Sequence, residues 1–237
     1  MSPRRAAGRT DRVALPEGGV VVPRRQSRRG WRFVLVGALA VVLLTCLLRA
    51  FVLEVYTIPS ASMEPGLVPG DRIAVARVGV EPYRRGDVVV FDGRGSLDPY
   101  RSTDPAWRQA LAGAGQFLGL VGSPTVHVKR IVGLPGDRVE CCGTDGRLKV
   151  DGQPVTEPYL ATGTLPSATR FDVVVPAGRV WLLGDNRGDS YDSRALLGAP
   201  GGGMVAMDRI IGTPVARVWP LDRAGALERI QLGHSPR

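Results

Sequence analysis

The chain has 237 residues, 44% of them hydrophobic, which is enough for one folded domain with additional segments. Its formal net charge is +9, but residues 1–32 hold nine Arg and two acidic residues, so the rest of the chain carries only +2. Because a nucleic-acid-binding domain needs a basic patch on its folded part, we expect no nucleic-acid partner. The two His, His127 and His234, are too few and too scattered for a metal cluster.

The N-terminal region joins an Arg-rich segment to an apolar one. Residues 1–30 contain Arg, Gly and Pro without periodicity, and we predict that they form a disordered cytoplasmic tail. From Phe33 to Leu53 the only charged residue is Arg49, and this stretch would be about 31 Å long as a helix, close to the ~30 Å hydrocarbon core of a bilayer. We therefore predict one transmembrane helix at 31–53. The Arg excess before it places the N-terminus in the cytoplasm and the body outside the cell membrane.

A cleaved signal peptide is the alternative interpretation of this apolar stretch. The basic region before it is about 32 residues long, which exceeds the usual length of such a region, and no small-x-small cleavage site follows directly. The sequence therefore favours a permanent anchor, and it implies the lipid bilayer as a partner.

The body, residues 54–220, is predicted to be a mainly β, antiparallel domain, because short β-branched runs alternate with turn signals. Between two of these runs lies one helical candidate, Ala106–Leu120, within an insertion at 93–124. Residues 221–237 hold no second apolar stretch and are predicted to be a C-terminal tail. The predicted strands are Val55–Ile58, Arg72–Val78, Asp87–Phe91, Thr125–Val132, Arg138–Glu140, Arg147–Val150, Phe171–Val175, Val180–Leu183 and Ile210–Val218.

Two adjacent cysteines, Cys141 and Cys142, cannot join distant segments, so a disulfide framework is excluded. The sequence leaves open whether they form a disulfide between neighbours or remain two free thiols. We have no functional interpretation of this pair.

Two serines, Ser60 and Ser62, lie in a short turn between Pro59 and Pro65, directly after the apolar stretch. A serine hydroxyl is a weak nucleophile unless a base lies within hydrogen-bond reach. Taken alone, this pattern is more often an ordinary loop.

Lys129 is one of only two lysines in the chain, and it lies inside an apolar predicted strand. Arg cannot lose its proton in a protein, whereas burial disfavours the charged form of Lys and lowers its pKa. Lys129 is therefore a candidate general base. Because side chains alternate along a strand, His127 lies on the same face, and from chemistry alone it could be the base instead.

A third polar segment, Leu183–Arg194, packs acids, arginines and hydroxyls into a dozen residues. Opposite charges at this density can pair and fix a loop. A solvated turn would explain the segment equally well if it stood alone.

The three segments in this order resemble the bacterial type I signal peptidase family. The resemblance covers about 49–218, and it depends on the serine segment Ile58-Pro59-Ser60-x-Ser62-Met63-x-Pro65, on the lysine segment 129–137 and on the polar segment 184–194, with lesser matches at 86–91 and 210–212. It implies a signal-peptidase-like β-rich catalytic domain, with a smaller β segment at roughly 137–180 inserted between the lysine and polar segments.

The resemblance also implies roles for individual residues. Ser62 resembles the nucleophile and Lys129 the base, while the Ser60 hydroxyl and the Ser62 N–H resemble the oxyanion hole. Ser190 resembles the residue that orients the lysine, and Asp185, Asp192 and Arg194 resemble supporting groups. The residues that would line shallow pockets for alanine-sized side chains are Ile58, Pro59, Met63, Leu67, His127 and Val128.

These observations lead to the hypothesis of a membrane-bound serine endopeptidase that cuts exported preproteins after Ala-x-Ala motifs, close to the protein export machinery, without a metal or an organic cofactor. The alternatives are a Ser/Lys maturation peptidase with a narrow substrate, a self-cleaving repressor and a non-catalytic membrane-tethered binding module. The repressor is disfavoured because it would lack the anchor and carry a DNA-binding domain. The binding module would predict loss of Ser62 or Lys129, and both are present.

Overall fold

The computed structural model describes residues 28–51, 53–79, 81–97, 105, 107–108 and 125–234. The chain divides into two compact units, residues 1–42 and residues 43–237. Most of the predicted disordered tail and most of the predicted helix Ala106–Leu120 lie outside the described residues. Within them, residues 28–30 belong to a helix, and Trp107 and Arg108 are helical.

The long N-terminal helix, α1, runs from Arg28 to Phe51. Every described side chain from Gly30 to Leu44 is exposed, including Phe33 and Leu39. Among the described residues, however, no helix is long and apolar enough to cross a membrane. The predicted transmembrane helix therefore stays a prediction.

The body is mainly antiparallel β structure, as the sequence predicts, and each of the nine predicted strands overlaps an observed one. Seven of the strands lie in the order β1-β2-β11-β3-β4-β9-β10, and with β12, which pairs with β11, they form an eight-stranded sheet. Five others form a second sheet in the order β13-β7-β6-β5-β8. The strands are β1 Leu53–Thr57, β2 Arg72–Ala76, β3 Val88–Asp92, β4 Val126–Gly133, β5 Arg138–Cys141, β6 Lys149–Val150, β7 Gln153–Thr156, β8 Phe171–Val174, β9 Arg179–Leu183, β10 Val205–Ala206, β11 Ile210–Trp219, β12 Gly225–Ala226 and β13 Gly233–His234.

Strand β4 occupies the interior of the larger sheet, between β3 and β9. Its β-branched residues suit an extended backbone, and Ile131 and Val132 are fully buried in two different hydrophobic clusters. The cluster that contains Val132 also holds Val139 and Val150 of the second sheet, so it joins the two sheets. The residues of β4 are consequently held on both sides by packed neighbours.

Three turns of one form lead into strands β2, β3 and β5. Each ends in Gly-Asp, at residues 68–71, 84–87 and 134–137, and the Asp N–H donates to the carbonyl of the first turn residue. In each turn the Asp carboxylate accepts a hydrogen bond from the N–H of that same first residue, at 2.8–3.0 Å. The glycines have φ values of 91–97°, a backbone conformation that disfavours any residue with a Cβ atom. This chemistry explains why the predicted Gly-Asp turns end where the strands begin.

The second sheet uses residues 138–174 together with the last described strand, β13. Leu232 is buried, and its N–H donates to the carbonyl of Arg85. Residues 221–234, within the predicted tail, thus contribute two short strands, β12 and β13. Cys141 and Cys142 form a disulfide, which is the first of the two states that the sequence leaves open.

Candidate active site

The serine turn is a short 3₁₀ helix, Ala61–Met63, preceded by Ser60 in an extended conformation. Ser62 and Met63 are buried in it. A second segment holds the turn in place, because the N–H of Asn186 donates to the carbonyl of Ser62 (3.1 Å) and its Nδ2 donates to the carbonyl of Ala61 (3.2 Å). The polar segment after β9 therefore fixes the backbone of the candidate nucleophile.

Lys129 extends from β4 to this turn, and its Nζ donates to Ser62 Oγ at 2.6 Å. The side chain is 4% exposed, and no ion pair to it occurs among the residues that the structure describes. Burial lowers the pKa of Lys129 from its ordinary value of 10.5 to about 8, although the charges of Asp192 and Asp185 oppose that shift and Arg194 adds to it. A lysine with a pKa near 8 is partly neutral at physiological pH and can accept the Ser62 proton.

The Ser60 hydroxyl lies 3.3 Å from Ser62 Oγ. Ser62 itself lies in the first turn of the 3₁₀ helix, where backbone N–H groups have no partner within the helix. One hydroxyl and one N–H thus lie beside the candidate nucleophile. Such donors can stabilise an oxyanion that forms next to it.

A cleft of about 1310 Å³ contains both candidate catalytic side chains. Its walls include seven of the predicted pocket and oxyanion residues, and its lining also includes the charged residues Arg77, Asp92 and Arg209. Leu67, which was also predicted to line the pocket, is not among the described residues that line the cleft. It packs instead in the hydrophobic cluster that contains Ile58 and Met63. The seven predicted residues that line the cleft are Ile58, Pro59, Ser60, Ser62, Met63, His127 and Val128.

Asp192 and Arg194 form a buried ion pair behind the site. Arg194 donates from Nε (2.8 Å) and from a terminal nitrogen (2.7 Å) to the two Asp192 oxygens, and the Gly184 N–H donates to Asp192 as well (3.0 Å). Burial would raise the pKa of Asp192, but the hydrogen bonds and charge of Arg194 outweigh it and lower that pKa. Asp192 therefore stays ionised and ties the polar segment to the end of β9.

Ser190, the predicted lysine-orienting residue, has a buried hydroxyl that lies close enough to Asp192 to help lower the pKa of that carboxyl. A Cβ atom on Gly184 would come within 2.1 Å of this hydroxyl and within 2.6 Å of the Ser62 carbonyl. Ser190 and Ser62 thus pack against the same glycine, although no hydrogen bond joins Ser190 to Lys129.

Asp185 has a partner that the sequence did not indicate. Arg130, the residue after Lys129, donates to both oxygens of Asp185 (2.8 and 2.6 Å) and also to the carbonyl of Gly86 (2.5 Å). Burial raises the pKa of Asp185 and Arg130 opposes that rise. The same region holds a second buried pair, Arg187 with Glu157, and the ring of Tyr159. Both arginines lie in segments that were recognised in the sequence, but their partners could not be identified there.

The comparisons with known proteins identify the family of this chain. Residues 30–219 match the family model described as signal peptidase, peptidase S26. The chain belongs to this family. Its members are serine endopeptidases, and the chain is an enzyme of that class.

Several related proteins align with most of the chain. A probable signal peptidase I of Mycobacterium leprae is 34% identical over 88% of this chain and 82% of its own length. A signal peptidase I of Mycobacterium tuberculosis is 36% identical over 88% and 79%, respectively. A signal peptidase IB of Staphylococcus aureus is 33% identical over 72% and 80%. The crystal structure of a signal peptidase I from Enterococcus faecalis is 22% identical, with a TM-score of 0.36, over 57% of this chain and 98% of that chain.

Proposed function

We propose that this chain removes N-terminal signal peptides from exported preproteins, with Ser62 as nucleophile and Lys129 as general base. The observation that carries the proposal is the 2.6 Å hydrogen bond between Lys129 Nζ and Ser62 Oγ inside a cleft, in a member of the signal peptidase family. Relatives named signal peptidase I support the choice of substrate.

The reaction begins when neutral Lys129 takes the proton of Ser62 Oγ, which then attacks the scissile carbonyl. The Ser60 hydroxyl and the Ser62 N–H stabilise the oxyanion that develops there. Lys129 next returns its proton to the leaving amine, which is the new N-terminus of the mature protein. Water activated by the same lysine then hydrolyses the acyl-enzyme.

The specificity that we propose is cleavage after small-x-small sequences such as Ala-x-Ala. The cleft walls next to Ser62 are apolar side chains, among them Ile58, Met63 and Val128. We expect such apolar walls to accept alanine-sized side chains and to disfavour charged ones.

We further propose that α1 and the residues after it anchor the enzyme in the cell membrane, with the N-terminus cytoplasmic and the catalytic domain outside, near the export machinery. The exposed apolar side chains from Phe33 to Leu44 and the arginines before them support this topology. Extraction with alkaline carbonate should leave the full chain in the membrane fraction. An N-terminal tag that antibodies reach in intact cells would contradict the orientation.

The experiment that tests the proposed activity is cleavage of a purified preprotein in detergent by the wild type, Ser62→Ala and Lys129→Ala. Mass spectrometry locates the cut. Cleavage after a small-x-small motif by the wild type alone is the expected result. A cut at a different kind of site would favour a dedicated maturation peptidase. No cleavage by the folded wild type would favour a non-catalytic role.

A further inference from the structure

Tyr159 lies in the segment after β7, and it is buried beside the polar segment of the active site. Its hydroxyl donates to Glu157 Oε1 at 2.7 Å and accepts a hydrogen bond from Arg187 at 3.3 Å. Glu157 forms a buried, two-point ion pair with Arg187. The segment thus brings one carboxylate and one aromatic ring to a place where two arginines meet.

Both guanidinium groups lie over the Tyr159 ring. The central carbon of Arg130 is 3.8 Å from the ring centroid, and that of Arg187 is 5.9 Å from it. The face of an aromatic ring attracts cations, and the attraction strengthens where water is excluded. Each arginine also has its own carboxylate, Asp185 for Arg130 and Glu157 for Arg187. Tyr159 therefore links two buried ion pairs into one unit.

This unit is connected to the reacting groups at two points. Arg130 directly follows Lys129 in β4, and it fixes Asp185. Arg187 donates to the carbonyl of Gly184 (3.0 Å), so both ends of the turn that contains Asp185 are held. The next residue of that turn, Asn186, donates its N–H to the carbonyl of Ser62.

We infer that Tyr159 is a positioning residue for the catalytic pair, because its ring holds the two guanidinium groups that fix the 184–186 turn against Ser62 and fix Arg130 beside Lys129. The inference depends on the proposed function, since it assigns Tyr159 to the same reaction. Tyr159 contacts neither Ser62 nor Lys129 among the described hydrogen bonds, so its effect is exerted through the two arginines.

The pH dependence of this unit involves every charged group that faces it. Asp185, Asp192 and Arg194 act on Lys129, while Glu157, Arg187 and Arg130 act on Tyr159. Tyr159→Leu would leave Arg130 without its aromatic contact and would loosen the hold of Arg130 on Asp185. A carboxylate that Arg130 neutralises less attracts the positive charge of Lys129 more strongly, so this change favours the charged form of Lys129.

The test compares Tyr159→Leu and Tyr159→Phe with the matched control Phe171→Leu. Phe171 belongs to the same hydrophobic cluster as Tyr159 and is equally exposed, at 7%, but it packs on Trp181 rather than on the arginines. In preprotein cleavage, Tyr159→Leu should lower kcat about ten-fold at pH 7 with little change in KM, and it should move the rising limb of the pH profile upward by about half a unit to one unit. Tyr159→Phe keeps the aromatic ring and should therefore retain most of the wild-type kcat.

An independent readout does not need activity. The chain has only two lysines, so labelling lysine with ¹³C gives two ε-methylene signals, and Lys149→Arg assigns them. The pH midpoint at which the Lys129 ε-methylene signal titrates should rise in Tyr159→Leu and should not change in Phe171→Leu. If Tyr159→Leu does not fold by circular dichroism, Tyr159→Met replaces it, because the unbranched methionine side chain adapts to irregular spaces. An unchanged or lower midpoint in the folded variant, or an equal rise in Phe171→Leu, would overturn the inference. A wild type that fails to cut preprotein would instead overturn the proposed function.

Discussion

Two consecutive residues of β4, Lys129 and Arg130, are both buried cations in very different surroundings. Lys129 faces the cleft, where its amine donates to Ser62 Oγ and no carboxylate among the described residues pairs with it. Arg130 points to the other side of the strand, where Asp185, the Gly86 carbonyl and the Tyr159 ring surround its guanidinium group.

The difference shows how one strand can supply both a reactive group and a rigid support. Burial without a carboxylate partner disfavours the charged form of a side chain, so the side chain becomes easier to deprotonate. A cation that is hydrogen-bonded to both oxygens of a carboxylate stays charged and holds its neighbours in place. The choice of residue follows the same logic, since only Lys can deprotonate and only Arg can reach both carboxylate oxygens in one plane.

The largest effect should come from removing either reactive side chain. Ser62→Ala and Lys129→Ala should each lower kcat/KM by about 10³-fold or more, because neither group can act without the other. Lys129→Arg should be as inactive as Lys129→Ala, since an arginine cannot serve as the base. Initial rates of preprotein cleavage measure this.

The matched control for that experiment is Lys149→Ala, which removes the only other lysine, in β6 of the second sheet. It should keep nearly full activity. If Lys129→Ala retained full activity while His127→Ala lost it, the assignment of the base would be wrong.

The next largest effect should be on stability, on the Arg130 side of the strand. Asp185→Asn leaves a buried guanidinium group without its counter-charge and should lower the free energy of unfolding by about 3 kcal/mol. Asp172 also forms a two-point pair, with Arg138, but that pair lies on the surface. Asp172→Asn should have no measurable effect because solvent screens exposed pairs.

Thermal unfolding of the full chain in detergent compares these two variants. Both ion pairs have the same two-point geometry and differ in burial. Equal changes in Tm would therefore contradict the claim that burial makes the Arg130–Asp185 pair more important for stability than the Arg138–Asp172 pair.

A smaller effect of opposite sign should follow from Lys129→Met. The pKa of Lys129 is about 8 in the folded chain and higher in the unfolded chain, so below pH 8 the folded state carries the full penalty of a buried charge. Lys129→Met removes that penalty and should raise the free energy of unfolding by about 1–3 kcal/mol at pH 7.

The stability of the wild type should then approach that of Lys129→Met as the pH rises from 8 toward 10.5, because the folded lysine loses its proton first. Tm values at pH 7 and pH 10 check both statements. A Lys129→Met variant that is less stable than the wild type at pH 7 would mean that the lysine is not desolvated as described.

Runs of β-branched residues between turn signals made nine of the strands predictable, whereas four strands were missed for local reasons. Strand β7 contains Pro154, which lacks an N–H and argues against a strand in sequence. Strands β10, β12 and β13 have two residues each, too few for any alternation to be seen. Their pairing depends on neighbours that are distant in the chain.

At the site, the segments that hold Ser62 and Lys129 could be identified from sequence, but the contact between the two side chains spans 67 positions and no local pattern encodes it. The partners of Arg130 and Arg187 were missed for the same reason. A buried arginine requires a carboxylate, yet nothing in the segment that contains Glu157 and Tyr159 indicates which arginine each one meets.

The ¹³C titration of Lys129 in the wild type is the sharpest test of the proposed mechanism, because it measures the protonation of the candidate base itself. We predict a titration midpoint near 8, and we expect this signal to disappear in Lys129→Arg. A midpoint near the ordinary value of 10.5 would show a charged, solvated lysine at neutral pH, and it would contradict the role of Lys129 as the base that activates Ser62.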